Sequence, residues 1–133
     1  MNPHYILVAK RALHRCEYCH APEIVFNFPF EVEHIIPLAR EGMNIESNWA
    51  LACRSCNLHK GSYITALDPE ANTAVRLFHP REEHWEEHFE VNLESGLIVG
   101  KTASGRATII CLGMNSQLQL MARRQWMSLG IFP

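Results

Sequence analysis

Two Cys-x-x-Cys pairs, Cys16/Cys19 and Cys53/Cys56, constrain this chain more than any other feature. A Cys-x-x-Cys turn can aim two sulfurs at one ion, and two such turns complete a tetrahedron with no open position. The chain between them must therefore fold back on itself. Zinc in a structural role is the expected ion; iron in the same cage is the alternative, and metal analysis separates the two. In MNPHYILVAKRALHR the basic residues follow the short apolar run, which is the wrong order for a secretory signal, and no run is long enough to cross a membrane. Five cysteines in such a chain point to metal and a cytoplasmic setting rather than to a disulfide framework. The fifth, Cys111, lies in an apolar stretch and is expected to be a small core residue.

A chain of 133 residues is expected to form a single domain, with a metal-braced part over 1–63 and an extension over 64–133. A core of this size gains much from a staple. The net charge of −2 excludes a globally basic nucleic-acid binder. The charge is uneven, however: Arg81 to Glu94 holds six glutamates and one basic residue, and Ser95 to Pro133 holds four basic residues and no acid. Any grip on a polyanion must come from local patches and bound metal.

The pattern predicts a mixed α+β fold. Asn2-Pro3 reads as a helix start, and Tyr5, Val8, Ala9, Ala12 and Leu13 share one face of a helix running to about Arg15. Phe30 to Ile36 alternates as a strand that ends before Pro37. Glu41 to Ser47 reads as a surface loop. Trp49 to Ala52 is a second strand, and a short helix from Cys53 to about His59 is stopped by Gly61. Further on come a turn at Asp68-Pro69-Glu70, a strand over Ala74 to Phe78, and one or two helical turns within Pro80 to His88. A hairpin follows from Phe89–Leu93 and Leu97–Gly100. Two helices close the chain, Ala103 to about Leu112 and Ser116 to Leu129. The second has Asn115 as a candidate cap and Leu118, Met121, Ala122 and Leu129 on one face.

Glu33-His34 sets an acid–histidine pair at the end of the first strand, which bears on phosphodiester hydrolysis: that reaction needs a deprotonated water, charge neutralisation on the phosphate and stabilisation of the leaving oxygen. A histidine that titrates near neutrality supplies the first, and a divalent cation with open coordination positions supplies the others. Glu33-His34-Ile35-Ile36-Pro37, then Asn48, then Cys53-Arg54-Ser55-Cys56-Asn57 and Lys60-Gly61 resemble the motif of the HNH endonucleases. These belong to the ββα-metal (His-Me finger) nucleases, in the branch braced by a four-cysteine zinc. Leu67-Asp68-Pro69, Leu77-Phe78-His79-Pro80-Arg81, Trp85-Glu86-Glu87-His88-Phe89 and Gly105-Arg106-Ala107-Thr108 are similar to the C-terminal part of small bacterial stand-alone HNH proteins.

The resemblance implies a ββα-metal core and a metal-dependent DNA endonuclease that leaves 5′-phosphate and 3′-hydroxyl ends. It makes His34 the general base, Glu33 and Asn57 the ligands of a catalytic cation, and Asn48 the residue that bonds loop backbone to hold His34. Magnesium or manganese suits these hard oxygen donors. The chain departs from the commonest motif twice, with Glu33 in place of the shorter Asp and with Gly42-Met43 where a Gly-Gly pair is common. Arg54, Lys60 and His59 are candidate nucleic-acid contacts, solvated surface charge being the plainer reading. Two other readings share the fold: a non-catalytic zinc-bound nucleic-acid or adaptor module, and an RNA-cutting enzyme. His84-Trp85-Glu86-Glu87-His88 is not a zincin site, since Trp85 stands where the glutamate belongs. Arg123 and Arg124 are expected on a solvated face.

Overall fold

A computed structural model describes every residue from Met1 to Pro133. Helix α1 covers Tyr5–Arg11 and buries Val8 and Ala9. It is shorter than its apolar pattern suggests, because Leu13 and His14 both take positive φ of 55° and turn the chain toward the first cysteine pair. Leu13 is consequently exposed rather than packed. Asn2 accepts from the His4 amide at 2.7 Å and organises the turn ahead of the helix.

Strands β1 (Glu31–His34) and β2 (Trp49–Ala52) pair antiparallel, with Glu33 opposite Ala50 and His34 opposite Trp49. Helix α2, Arg54–Lys60, follows β2 after a single residue. That residue, Cys53, caps the helix through its own sulfur, which accepts from the Cys56 amide at 3.5 Å. Gly61 ends the helix at φ +51°, a conformation that suits a glycine. Paired residues share a face of a hairpin and neighbours along a strand alternate. Glu31 and Glu33 thus face α2, whereas Val32 and His34 lie on the side that α1 approaches.

The remainder is a second layer. Strands β3 (Thr65–Leu67) and β4 (Ala74–Arg76) form one antiparallel ribbon, and β5 (Phe89–Val91) and β6 (Ile98–Gly100) another. The β3 partner has no strand pattern in the sequence; it exists because β4 pairs with it. Helix α3 is one turn, Trp85–His88, α4 is Ala103–Cys111 and α5 is Gln117–Ser128. The segments around Asp68, Phe78, His88 and Arg106 meet each other here. Arg106 donates twice to the Asp68 carboxylate at 2.9 Å, the Thr108 hydroxyl accepts from the Phe78 amide at 2.9 Å, and Gly105 lets α4 approach the His88 carbonyl so closely that a Cβ would sit 2.2 Å from it.

Of the face expected on helix α5, only Ala122 packs against the core. Leu118, Met121 and Leu129 are exposed, while Gln119, Arg123 and Trp126, spaced at helical intervals, are buried. Its cap is Ser116, whose hydroxyl accepts from the Gln119 amide at 3.3 Å. Asn115 instead bonds the Ile98 amide and carbonyl and so ties the helix start to β6. Cys111 is half-buried on α4 and stays outside the cysteine cluster.

Candidate active site and metal centre

The four predicted cysteines converge. Their sulfurs all lie within 4.8 Å of one another, and Cys19 and Cys53 are 3.8 Å apart. A tetrahedral ion bound at about 2.3 Å from each sulfur requires sulfur separations of about 3.8 Å. All four cysteines are buried, as a closed structural site demands. A second observation fits an anionic cage. Arg123, expected on a solvated face, has no exposure at all. Its guanidinium donates to the Gly96 and Met114 carbonyls and to Asn115 Oδ1, none of them acidic, and its Nε has no partner. Burial lowers its pKa, and the thiolates of Cys19, Cys56 and Cys53 oppose that shift. A buried cation without a carboxylate is costly unless another anion compensates it, and zinc held by four thiolates is such an anion. Cys16, Cys19, Cys53 and Cys56 would hold the ion, which supplies rigidity and no chemistry.

Asn48 directly follows the loop predicted over Glu41 to Ser47. It is buried, its Oδ1 accepts from the Ile36 amide at 2.8 Å, and its Nδ2 donates to the carbonyls of Ile36 at 2.9 Å and Met43 at 2.8 Å. This side chain closes the loop that leaves β1 directly after His34. Gly42 packs into the same closure, where a Cβ would lie 1.8 Å from the Ile36 carbonyl oxygen. The neighbouring Met43 is exposed, so a second glycine has nothing to relieve there. His34 is half-buried, with Nε2 2.9 Å from Asn44 Oδ1.

The two expected cation ligands do not meet as an open pair. Glu33 is buried; the Tyr18 hydroxyl donates to one carboxylate oxygen, and Lys60 Nζ stands 3.3 Å from the other. Burial pushes its carboxyl up, and the Lys60 charge and the Tyr18 bond pull it back. Asn57 turns to Glu31 instead, donating Nδ2 to that carboxylate. A carboxylate only accepts, so the Asn57 amide is oriented with Oδ1 away from Glu31. As the side chains stand, Asn57 has an oxygen to offer, and each Glu33 oxygen already faces one protein donor.

Lys60 is not a surface contact. It is only 1% exposed and donates to the Ile35 carbonyl at 2.7 Å as well as facing Glu33. The long side chain dives between α2 and β1 because only there does its charge find a carboxylate and a carbonyl together. Arg54 remains outside, 3.3 Å from Glu31, with 77% of its side chain exposed. His59 is exposed, its Nδ1 2.7 Å from the Ser55 carbonyl.

Both cysteine turns, the β1–β2 hairpin, the Asn48 loop and α2 thus form one contiguous unit between Cys16 and Gly61. The model of the family described as HNH endonuclease matches residues 16–63. That segment is similar to the HNH endonuclease family. No curated protein and no solved structure matches the chain. No helix is long and apolar enough to cross a membrane.

Sequence reasoning missed several residues around the HNH segment. Tyr18, inside the first cysteine turn, reaches Glu33, and burial raises its phenol pKa well above the usual value, so it remains a donor. Glu31, two residues before Glu33, had a visible signal, since the same strand face repeats every second residue. The Trp85-to-His88 segment also gains a role. The Trp85 indole stacks on His20 at 4.0 Å and donates to the Tyr18 carbonyl at 2.7 Å, and Arg81 pairs with Glu17. It clasps the first cysteine turn.

Proposed function

We propose that this protein is a metal-dependent HNH endonuclease that hydrolyses phosphodiester bonds in DNA, with His34 as general base. The observation that carries the reading is His34 itself, within an HNH segment. It lies at the end of β1, beside a loop clamped by buried Asn48, and its Nδ1 makes no bond to the protein. Glu33 and Asn57 are the proposed ligands of a magnesium or manganese ion. Asn57 Oδ1 is free for this, and Glu33 joins only by releasing Lys60. The ion supplies charge neutralisation on the phosphate when bound. Asn48 holds the loop, and exposed Arg54 and His59 meet the nucleic-acid backbone. The setting is cytoplasmic, where four thiols stay available to zinc.

The test is a cleavage assay on plasmid DNA and on RNA with magnesium or manganese, run with wild type beside His34→Ala. Wild type is expected to cut DNA. The variant is expected to lose at least about 100-fold in rate while retaining zinc and the far-ultraviolet spectrum. Full activity in His34→Ala overturns the assignment, and cutting of RNA alone moves the substrate class. The engagement of Glu33 by Lys60 and Tyr18 favours one other reading, a zinc-braced module that binds nucleic acid without cutting. That reading predicts binding with no metal-dependent nicking.

A further inference from the structure

We propose that Asn44, set by Trp49, holds His34 as its Nε2–H tautomer and leaves Nδ1 as the basic nitrogen. An imidazole is a base at one nitrogen only, and the partner of the other nitrogen decides which. An indole N–H can only donate. Trp49 Nε1 lies 3.0 Å from Asn44 Oδ1, so the amide is fixed with its oxygen toward the indole. The same oxygen lies 2.9 Å from His34 Nε2. A carbonyl oxygen accepts, so Nε2 must carry the hydrogen.

Each link is held from behind. Trp49 is buried, its ring stacks on His4 at 3.9 Å, and its carbonyl accepts from the Arg11 guanidinium at 2.7 Å. It also stands directly opposite His34 in the β ladder. The residue before Asn44 is tied down through the Met43 carbonyl, which accepts from Asn48. A rigid indole therefore orients an amide, and the amide orients the imidazole. Asn44 is thus a positioning residue. The tautomer follows from donor and acceptor geometry alone; only its use in catalysis rests on the nuclease reading.

The experiment compares wild type with Asn44→Leu, which keeps the shape and loses the acceptor, and Asn44→Asp, which keeps the acceptor. Asn44 is exposed, and the substitutions are expected to leave zinc content and folding unchanged. Nitrogen-15 spectra of the zinc-loaded chain at about pH 8.5, two units above an ordinary imidazole, report the His34 tautomer. Wild type and Asn44→Asp are expected to show a protonated Nε2 whose hydrogen exchanges slowly, and Asn44→Leu to lose that protected signal. In the cleavage assay Asn44→Leu is expected to lose roughly 10- to 100-fold in kcat with little change in KM, and Asn44→Asp to stay within about 3-fold of wild type. A wild-type proton on Nδ1, or an Asn44→Leu protein with both the protected hydrogen and full kcat, overturns the proposal. If wild type cuts nothing, the nuclease reading falls, and the spectra alone decide the tautomer.

Discussion

Glu23 shows how a single carboxylate can anchor the approach to the site. It accepts from the Tyr5 hydroxyl at 2.8 Å and the Phe30 amide at 2.7 Å, and His14 Nδ1 lies at 2.7 Å. These contacts join α1, the turn after it and the start of β1. Burial and the bond to Glu23 push the Tyr5 phenol pKa up to about 12. An unfolded tyrosine titrates near 10. The proton is therefore held more tightly in the folded chain, and the stabilisation it brings is complete below about pH 10 and disappears as pH rises through about 12. Tyr5→Phe is expected to flatten the alkaline loss of stability in that window, measured as urea midpoints at pH 8, 10, 11 and 12. An unchanged slope would mean that Tyr5 is not the group responsible. At this scale the loop bonding of Asn48 was legible through the resemblance to the HNH motif, and the close approach at Gly42 appeared only in the fold. Lys60 and Arg123 were not legible, since nothing local says that a cation finds its partners inside.

The elements around the cysteine cluster are held from outside the segment similar to HNH endonucleases. α3 contributes one turn, yet its Trp85 reaches the carbonyl of Tyr18 between the first two cysteines. Trp85→Phe keeps an aromatic ring against His20 and removes the donor. The expected cost is about 1–2 kcal/mol, one hydrogen bond plus imperfect packing, read from urea unfolding of the zinc-loaded chain. Unaltered stability would show that the clasp carries no load. The element boundaries followed local chemistry closely for β2, α2, β5 and β6. Helix α5 went against its own pattern: Arg123 is buried and bonds the Gly96 and Met114 carbonyls, while Leu118 and Met121 are exposed.

The cluster of 23 buried apolar residues runs from Val8 to Phe132 and includes all four metal-site cysteines. The ion is therefore proposed to hold both layers together as one unit. Zinc binding to such sites carries about 10–16 kcal/mol of folding free energy, whereas whole domains are stable by about 5–15. Removing zinc with a strong chelator is expected to unfold the chain completely. Far-ultraviolet circular dichroism and the fluorescence of Trp49, Trp85 and Trp126 should change together. Cys53→Ser should behave like the chelated protein. Retained structure over 64–133 after chelation would show that the extension folds by itself.

The sequence by itself determined the cysteine cage, the strand–loop–strand–helix order of the HNH segment and the loop role of Asn48. The cage and the element order rest on short spacing and on residue types with few alternatives, and the role of Asn48 rests on the resemblance of the motif to the HNH family. Only the tertiary structure decided that Glu33 faces Tyr18 and Lys60, that Asn57 turns to Glu31, and that His34 is held by Asn44 and Trp49. Those partners lie far apart along the chain or on opposite strands, and a buried charge or ring takes whichever donor the fold brings within hydrogen-bond reach.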